Sequence, residues 1–196
     1  MRIRDEDKVK LVKQKALETI VNDGLESFSM NKLAKACNIS VATLYIYYKD
    51  KDDLVISIAK EEGDAMSDTF IRNFDPNLSF EEGLRIQWRN RYAYNLENPL
   101  AYSFFEQLRS SAYQERFLEN FMQKFKALIA EFTHNIVERG EIYPMPLEVF
   151  WSVAYAPLYS LIRFDREGHS FGGKPFKLSD EALWQTFDLV IKSLKK

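Results

Sequence analysis

The stretch Ser29–Lys51, SMNKLAKACNISVATLYIYYKDK, constrains this 196-residue chain more than any other. It reads as two short helices joined by a tight turn. Ser29 caps the first, its hydroxyl accepting from a free amide of the opening turn. Met30, Leu33, Ala34 and Cys37 recur at helical spacing and form one apolar stripe. Asn38 stands where the chain must turn sharply, and Asn tolerates positive φ well enough to replace Gly there. Ser40 caps a second helix only three residues after Cys37. Leu44 and Tyr48 are four apart and share a face, so they pack back onto the first helix. That leaves Val41, Ala42, Thr43, Tyr45, Ile46 and Tyr47 nearer the outside.

Two helices in this relation form a helix-turn-helix, whose second helix enters the DNA major groove. A plain helical hairpin shares the caps and the stripe. It has no need of an outer face of small residues followed by aromatics and lysines. The wording of the segment resembles the TetR family of transcriptional regulators, whose signature runs Ile/Leu-Ala-Lys-x-x-Gly-Val-Ser-x-x-Thr-Leu-Tyr-x-Tyr-Phe-x-x-Lys-x-x-Leu. Leu33, Ala34, Lys35, Ile39, Ser40, Thr43, Leu44, Tyr45, Tyr47, Lys51 and Leu54 match it. Three positions depart from it. Asn38 replaces the turn Gly, Ala42 replaces a frequent small residue or Pro, and Tyr48 replaces Phe. The last puts a phenol where the family keeps a buried ring, so its hydroxyl is expected at a polar partner or at the rim.

Pattern and resemblance together imply an all-α fold of about nine helices. Residues 6–66 form a three-helix helix-turn-helix domain, and 67–196 a larger helical bundle for ligand binding and dimerisation. Val9, Val12, Ala16 and Ile20 place a first helix over Asp7–Asp23, ended by Gly24. Asp50 caps the helix that leaves the motif, and no Gly/Ser-rich linker follows. Ser79-Phe-Glu-Glu82 is a capping box, after which Phe80, Leu84, Trp88 and Tyr92 share one face up to Asn98-Pro99. Further helices are expected over Leu100–Ser110, Ala112–Arg139, Leu147–Arg166 (kinked at Pro157) and from Ser179 to the end. No strand pattern of useful length occurs.

By the resemblance, Thr43, Tyr45, Tyr47 and Lys51 make phosphate or groove contacts, with Lys49 a further candidate. Ser29 and Asn31 open the preceding helix, where amides and side chains meet phosphate. Val41 and Ala42 allow close approach and suit a thymine methyl, and Ile46 shares their outer side. Between Val41 and Tyr48 there is no Arg, Gln or Asn. A forked Arg on guanine is therefore lacking, and specificity is expected from methyl contacts and DNA shape on an A·T-rich half-site.

Charge adds little to this. Net charge is −2, with 11 Lys+Arg against 9 Asp+Glu in residues 1–60 and 16 against 20 in the rest. The lone Cys37 fits a reducing cytoplasm and reads as a small core residue. No apolar run is long enough to span a membrane, and MRIRDEDKVK has no signal-peptide core.

Residues 61–196 hold 24 aromatics in 136 residues. The resemblance implies a cavity there for a small apolar or aromatic effector that releases the protein from DNA. Trp88, Tyr92, Phe105, Phe121, Phe125, Tyr155 and Tyr159 are its candidate lining, with ordinary core packing the alternative for each. Arg89 or Arg109 would meet an acidic head, unless both are simply exposed. The resemblance also implies a homodimer on a palindromic operator, joined through the last two helices. Trp151, Leu158, Ile162, Trp184, Phe187 and Ile191 are candidates for that interface or for the core of one subunit.

Enzyme chemistry finds no support. His134 and His169 are isolated, and neither a metal-binding motif nor a nucleophile elbow is present. Gly172-Gly173-Lys174 lacks the spacing of a phosphate loop. No catalytic residue, metal or cofactor is expected. Two other readings stay open. One is a helical carrier or interaction protein with a non-functional motif, and the other is a regulator controlled by a protein partner.

Overall fold

The computed structural model describes residues 2–114 and 123–196, with side chains from Glu6 onward except Lys124. Within them the chain forms ten α-helices and no strand. These are α1 (Arg2–Asp23), α2 (Met30–Ala36), α3 (Val41–Tyr47), α4 (Lys51–Phe70), α5 (Phe80–Glu97), α6 (Pro99–Arg109), α7 (Gln123–Glu138), α8 (Leu147–Ala154), α9 (Ala156–Glu167) and α10 (Asp180–Leu194). Of the helix expected over 112–139, the described part is α7. Phe117 and Phe121 lie outside the described residues.

Against nine expected helices, ten occur among the described residues, because Pro157 breaks one of them. A proline inside a helix has no amide to donate and crowds the carbonyl one turn back. Here Tyr155 leaves the helical path at φ −122°, and α9 restarts with Pro157 in its first turn. The break exposes a carbonyl at the end of α8, and the Trp88 indole Nε1 donates to it, reaching Ala154 O at 2.8 Å.

Contacts divide the chain into two units. The first comprises Met1–Met66 with Asn98–Met122, and the second Ser67–Glu97 with Gln123–Lys196. The expected division gave everything after 66 to the larger half. The contacts instead group α6 with the N-terminal helices, because Phe104 and Leu108 are buried in the core that α1 to α4 build. Gln107 reinforces this. Its Oε1 accepts from Leu25 N at 2.9 Å and its Nε2 donates to Val21 O at 3.3 Å, serving the corner after α1.

Val12, Ala16, Ile20, Leu33, Leu44, Leu54, Val55 and Ile58 fill the rest of the first core. The turn between α2 and α3 follows from backbone bonding alone. Asn38 adopts φ 52°, its N–H donates to Lys35 O at 3.1 Å, and Ile39 N–H donates to Ala34 O at 3.0 Å. This is a Schellman exit, with Asn in the left-handed place usually held by Gly. Tyr48, at the end of α3, has its ring buried. Burial pushes its phenol up to about 12, with the carboxylates of Glu61 and Asp53 adding to the effect.

The second unit is built on α5. Phe80, Leu84 and Trp88 are fully buried along its inner stripe, against Phe132, Phe150, Leu158 and Phe187 of the same unit. Gly83 lets Phe132 pack onto the α5 backbone, where a Cβ would come within 2.4 Å of the ring.

Two outcomes follow. Asn38 is exposed, so Asn38→Val should destabilise the protein by about 1–2 kcal/mol through backbone strain, while Asn38→Gly should not. Chemical denaturation of the three proteins checks this. Tyr48 has a raised folded-state value, so its contribution is complete below the ordinary tyrosine value of 10.0 and is lost as pH rises toward 12. Tyr48→Phe should flatten the fall in stability across that window, as read by unfolding at pH 9, 10.5 and 12.

Candidate nucleic-acid interface and effector site

α2 and α3 are seven residues each, too short to persist alone, so caps and burial hold them. Ser29 Oγ accepts from Lys32 N at 3.3 Å. Ser40 Oγ accepts from Thr43 N at 3.1 Å and shares a 2.8 Å bond with the Thr43 hydroxyl. Leu44 has no exposed surface and Tyr48 sits beside it in the core. The opposite side of α3 therefore faces outward. Tyr45 is 53% and Ile46 77% exposed, although both are large apolar side chains. Ala42 is exposed, and Val41, Thr43 and Tyr47 are half-buried along its flanks.

The corner from α3 into α4 is fixed by acids. Asp50 Oδ1 accepts from Asp53 N at 2.8 Å, and Asp53 Oδ2 accepts from Lys49 N at 2.9 Å. The Lys49 side chain is left exposed, as is Asn31 at the start of α2, while Ser29 is half-buried. Lys51, expected at a phosphate or groove contact, also bonds within the protein. Its ammonium donates to Leu25 O at 2.8 Å and lies 5.8 Å from the Phe28 ring centroid. It ties the loop between α1 and α2 to the start of α4, and two of its three N–H bonds remain for phosphate. That tether had no local signal, because Leu25 is 26 residues away.

The candidate effector residues do not gather in one place. Phe105 belongs to the first unit and packs on its core. Tyr92 lines a cleft of about 390 Å3 with Arg85, Arg89, Asp180, Leu183 and Trp184. Burial, then Asp165 and Asp180, hold its phenol above the ordinary range. Trp88 is a core residue serving the α8 break. Phe121 lies outside the described residues. Phe125, Tyr155 and Tyr159 do come together, and what they surround is Arg91.

Sequence reasoning missed Arg91. Arg89 is exposed, and Arg109 is exposed and pairs with Glu106 at 2.8 Å. Arg91 is 1% exposed. A signal did exist, since positions 84, 88, 91 and 95 fall on one helical face, and Gln87, Arg91 and Asn95 are its buried polar members.

The six interface candidates also divide. Leu158 and Phe187 are fully buried within the second unit, and Ile162 and Ile191 nearly so. These four fill the chain's own core, one of the two roles left open for them. Trp151 and Trp184 keep accessible surface. On α8 and α10, Leu147, Val149 and Leu189 are exposed apolar side chains that the sequence reading did not name as interface candidates. Helical spacing alone does not separate an inner stripe from an outer one when both are apolar.

Comparison with known proteins agrees with this geometry. Residues 14–58 match the family described as bacterial regulatory proteins, tetR family. An uncharacterized HTH-type transcriptional regulator of Haemophilus influenzae is 34% identical over 91 residues, 46% of this chain and 49% of that protein. A fatty acid metabolism regulator protein of Bacillus subtilis is 36% identical over 47 residues, 24% of each chain. The matches thus span about half and about a quarter of those relatives. Over the whole chain the fold is similar to a TetR family transcription regulator from Marinobacter aquaeolei, with TM-score 0.76, 25% identity and 100% of both chains covered. It is also similar to a TetR-family transcriptional regulator from Haemophilus influenzae, with TM-score 0.78, 22% identity and 98% and 99% covered. No helix among the described residues is long and apolar enough to cross a membrane. Motif, fold and family match agree: residues 14–58 match the tetR family of bacterial regulatory proteins, and the chain as a whole has a fold similar to that of TetR-family transcription regulators.

Proposed function

We propose that this protein is a DNA-binding transcriptional regulator, a repressor, that grips a palindromic operator as a homodimer. The observation that carries this reading is the outward face of α3. Large apolar side chains are costly to expose, yet Tyr45 and Ile46 stand out from a helix whose other side is anchored by Leu44. Such a face fits thymine methyls and sugar edges in a major groove. Ser29, Asn31, Thr43, Tyr47, Lys49 and Lys51 then hold the flanking phosphates, and Val41 and Ala42 allow the close approach.

One short helix offers too little surface for tight binding, so two subunits are needed. Trp151 and Trp184, with the exposed Leu147, Val149 and Leu189, supply apolar surface for pairing. Release would come from an apolar effector bound among the helices of the second unit. An effector lowers DNA affinity only as far as it prefers the non-binding arrangement, and a typical coupling is ~1–3 kcal/mol. In support, α4 is one uninterrupted helix that starts beside α3 and ends with residues of the second unit. The setting is the cytoplasm, where the DNA is.

A mobility-shift assay on the DNA just upstream of its own coding region tests the reading. Tyr45→Ala and Lys49→Ala should each weaken the complex about tenfold or more, roughly 1.4 kcal/mol, with helical circular dichroism unchanged. Wild-type affinity in both variants would refute the assignment of the face. If each subunit neutralises two or three phosphates, the slope of log affinity against log salt should be roughly −4 to −5. A slope near zero removes the electrostatic half of the proposal.

A further inference from the structure

We propose that Arg91 is the anchor for the carboxylate of an apolar organic acid bound inside the second unit; this rests on the effector reading above and specifies its chemistry. A guanidinium is charged at every accessible pH, and a buried one is ordinarily matched by a carboxylate. Among the described residues Arg91 has no such match. No ion pair formed by the described residues includes it. Its Nη1 donates to the Tyr159 hydroxyl at 2.7 Å, while Nε and Nη2 have no hydrogen-bond partner.

Those two nitrogens are not an arbitrary pair. Nε–H and one Nη2–H lie parallel on the same edge of the guanidinium plane, at the spacing of two carboxylate oxygens. The vacant edge is therefore the fork that a carboxylate fills with two bonds. Beside it, the fully buried Tyr155 hydroxyl is also without a partner and can donate a third. Its phenol is held above the ordinary range by burial, with the Arg91 charge opposing.

The surroundings choose the rest of the ligand. Phe70, Phe125, Trp151, Tyr155 and Tyr159 place their ring centroids 4.4–5.9 Å from the guanidinium carbon. Rings stabilise the cation while it is empty-handed and offer an apolar wall to the body of an acid. One positive charge in an apolar setting suits a single negative charge better than a dianion. Gln87 Oε1 is buried and unpartnered as well. Its Nε2 donates to Phe70 O at 2.9 Å, which fixes the amide so that the free atom is an acceptor. It suits a hydroxyl or amide hydrogen on the ligand, not a second anion.

Thermal unfolding of the full chain with benzoate or octanoate, against benzamide or octanamide at equal concentration, is the test. The acids should raise the unfolding temperature of the wild type and the amides should not. Arg91→Met should unfold at or above the wild-type temperature without ligand, since an unmatched buried charge is gone, and should lose the response to acid. Arg91→Lys keeps the charge without the fork and should bind acid at least tenfold more weakly. Tyr155→Phe should weaken binding several-fold. If Arg91→Met does not fold, the Lys and Phe variants decide.

The inference is overturned if neither acid stabilises the wild type, if the amides match the acids, or if the Arg91 variants respond as the wild type does. It is overturned equally if inorganic phosphate or chloride alone gives the same rise. Repeating the mobility shift with the acids separates this from the broader reading. Arg91-dependent binding that leaves the DNA complex intact keeps the site and rejects effector release. DNA binding without any acid response keeps the regulator and rejects the site.

Discussion

Leu44 has no accessible surface, and the direction of every other side chain on α3 follows from that. A seven-residue helix has too few internal hydrogen bonds to hold itself. The Ser40 cap starts it, and the burial of Leu44 and Tyr48 against α1, α2 and α4 keeps it. Once those two are inward, the period of the helix puts Tyr45 and Ile46 outward, with no freedom to do otherwise. The outward face of α3 is thus a consequence of core packing. The Lys51 ammonium on Leu25 O closes the same arrangement from below, joining the first loop to the helix that leaves the motif.

The second unit is organised around the opposite kind of constraint. A core normally excludes charge, since the desolvation penalty of a buried ion is several kcal/mol unless a partner offsets it. Arg91 is nevertheless inside, wrapped by rings and bonded through one nitrogen only. The same face of α5 also serves the end of α4. Gln87 Nε2 reaches Phe70 O, and Asn90 Nδ2 reaches Phe70 O at 3.1 Å and Arg72 O at 2.7 Å, satisfying carbonyls that a helix end leaves free. The end of α4 is therefore held by the helix that carries the buried charge.

What was legible in advance was whatever depends on near neighbours. The caps at Ser29, Ser40 and Ser179, the left-handed Asn38 and the stripe of α1 each involve residues within one or two turns. Pro157 was visible as a disturbance, but whether it bends or breaks a helix depends on what the carbonyls beside it find to bond. The Ala154 carbonyl finds Trp88, 66 residues away. Residues 98–109 read with the larger half because they lie beyond residue 66 in the chain. Their packing on α1 depends on Phe104 and Leu108 finding a core that begins at Val12.

The functional residues divide along the same line. By itself the sequence determined the helix-turn-helix and its outward residues, because a period of 3.6 and two adjacent caps leave one arrangement for so short a segment. Only the tertiary structure decided that Arg91, and not Arg89 or Arg109, is the arginine inside. It also decided that Leu158 and Phe187 belong to the core while Leu147 and Leu189 face out. Burial is set by elements far away in the chain, and three arginines on apolar helices look alike until those elements are in place.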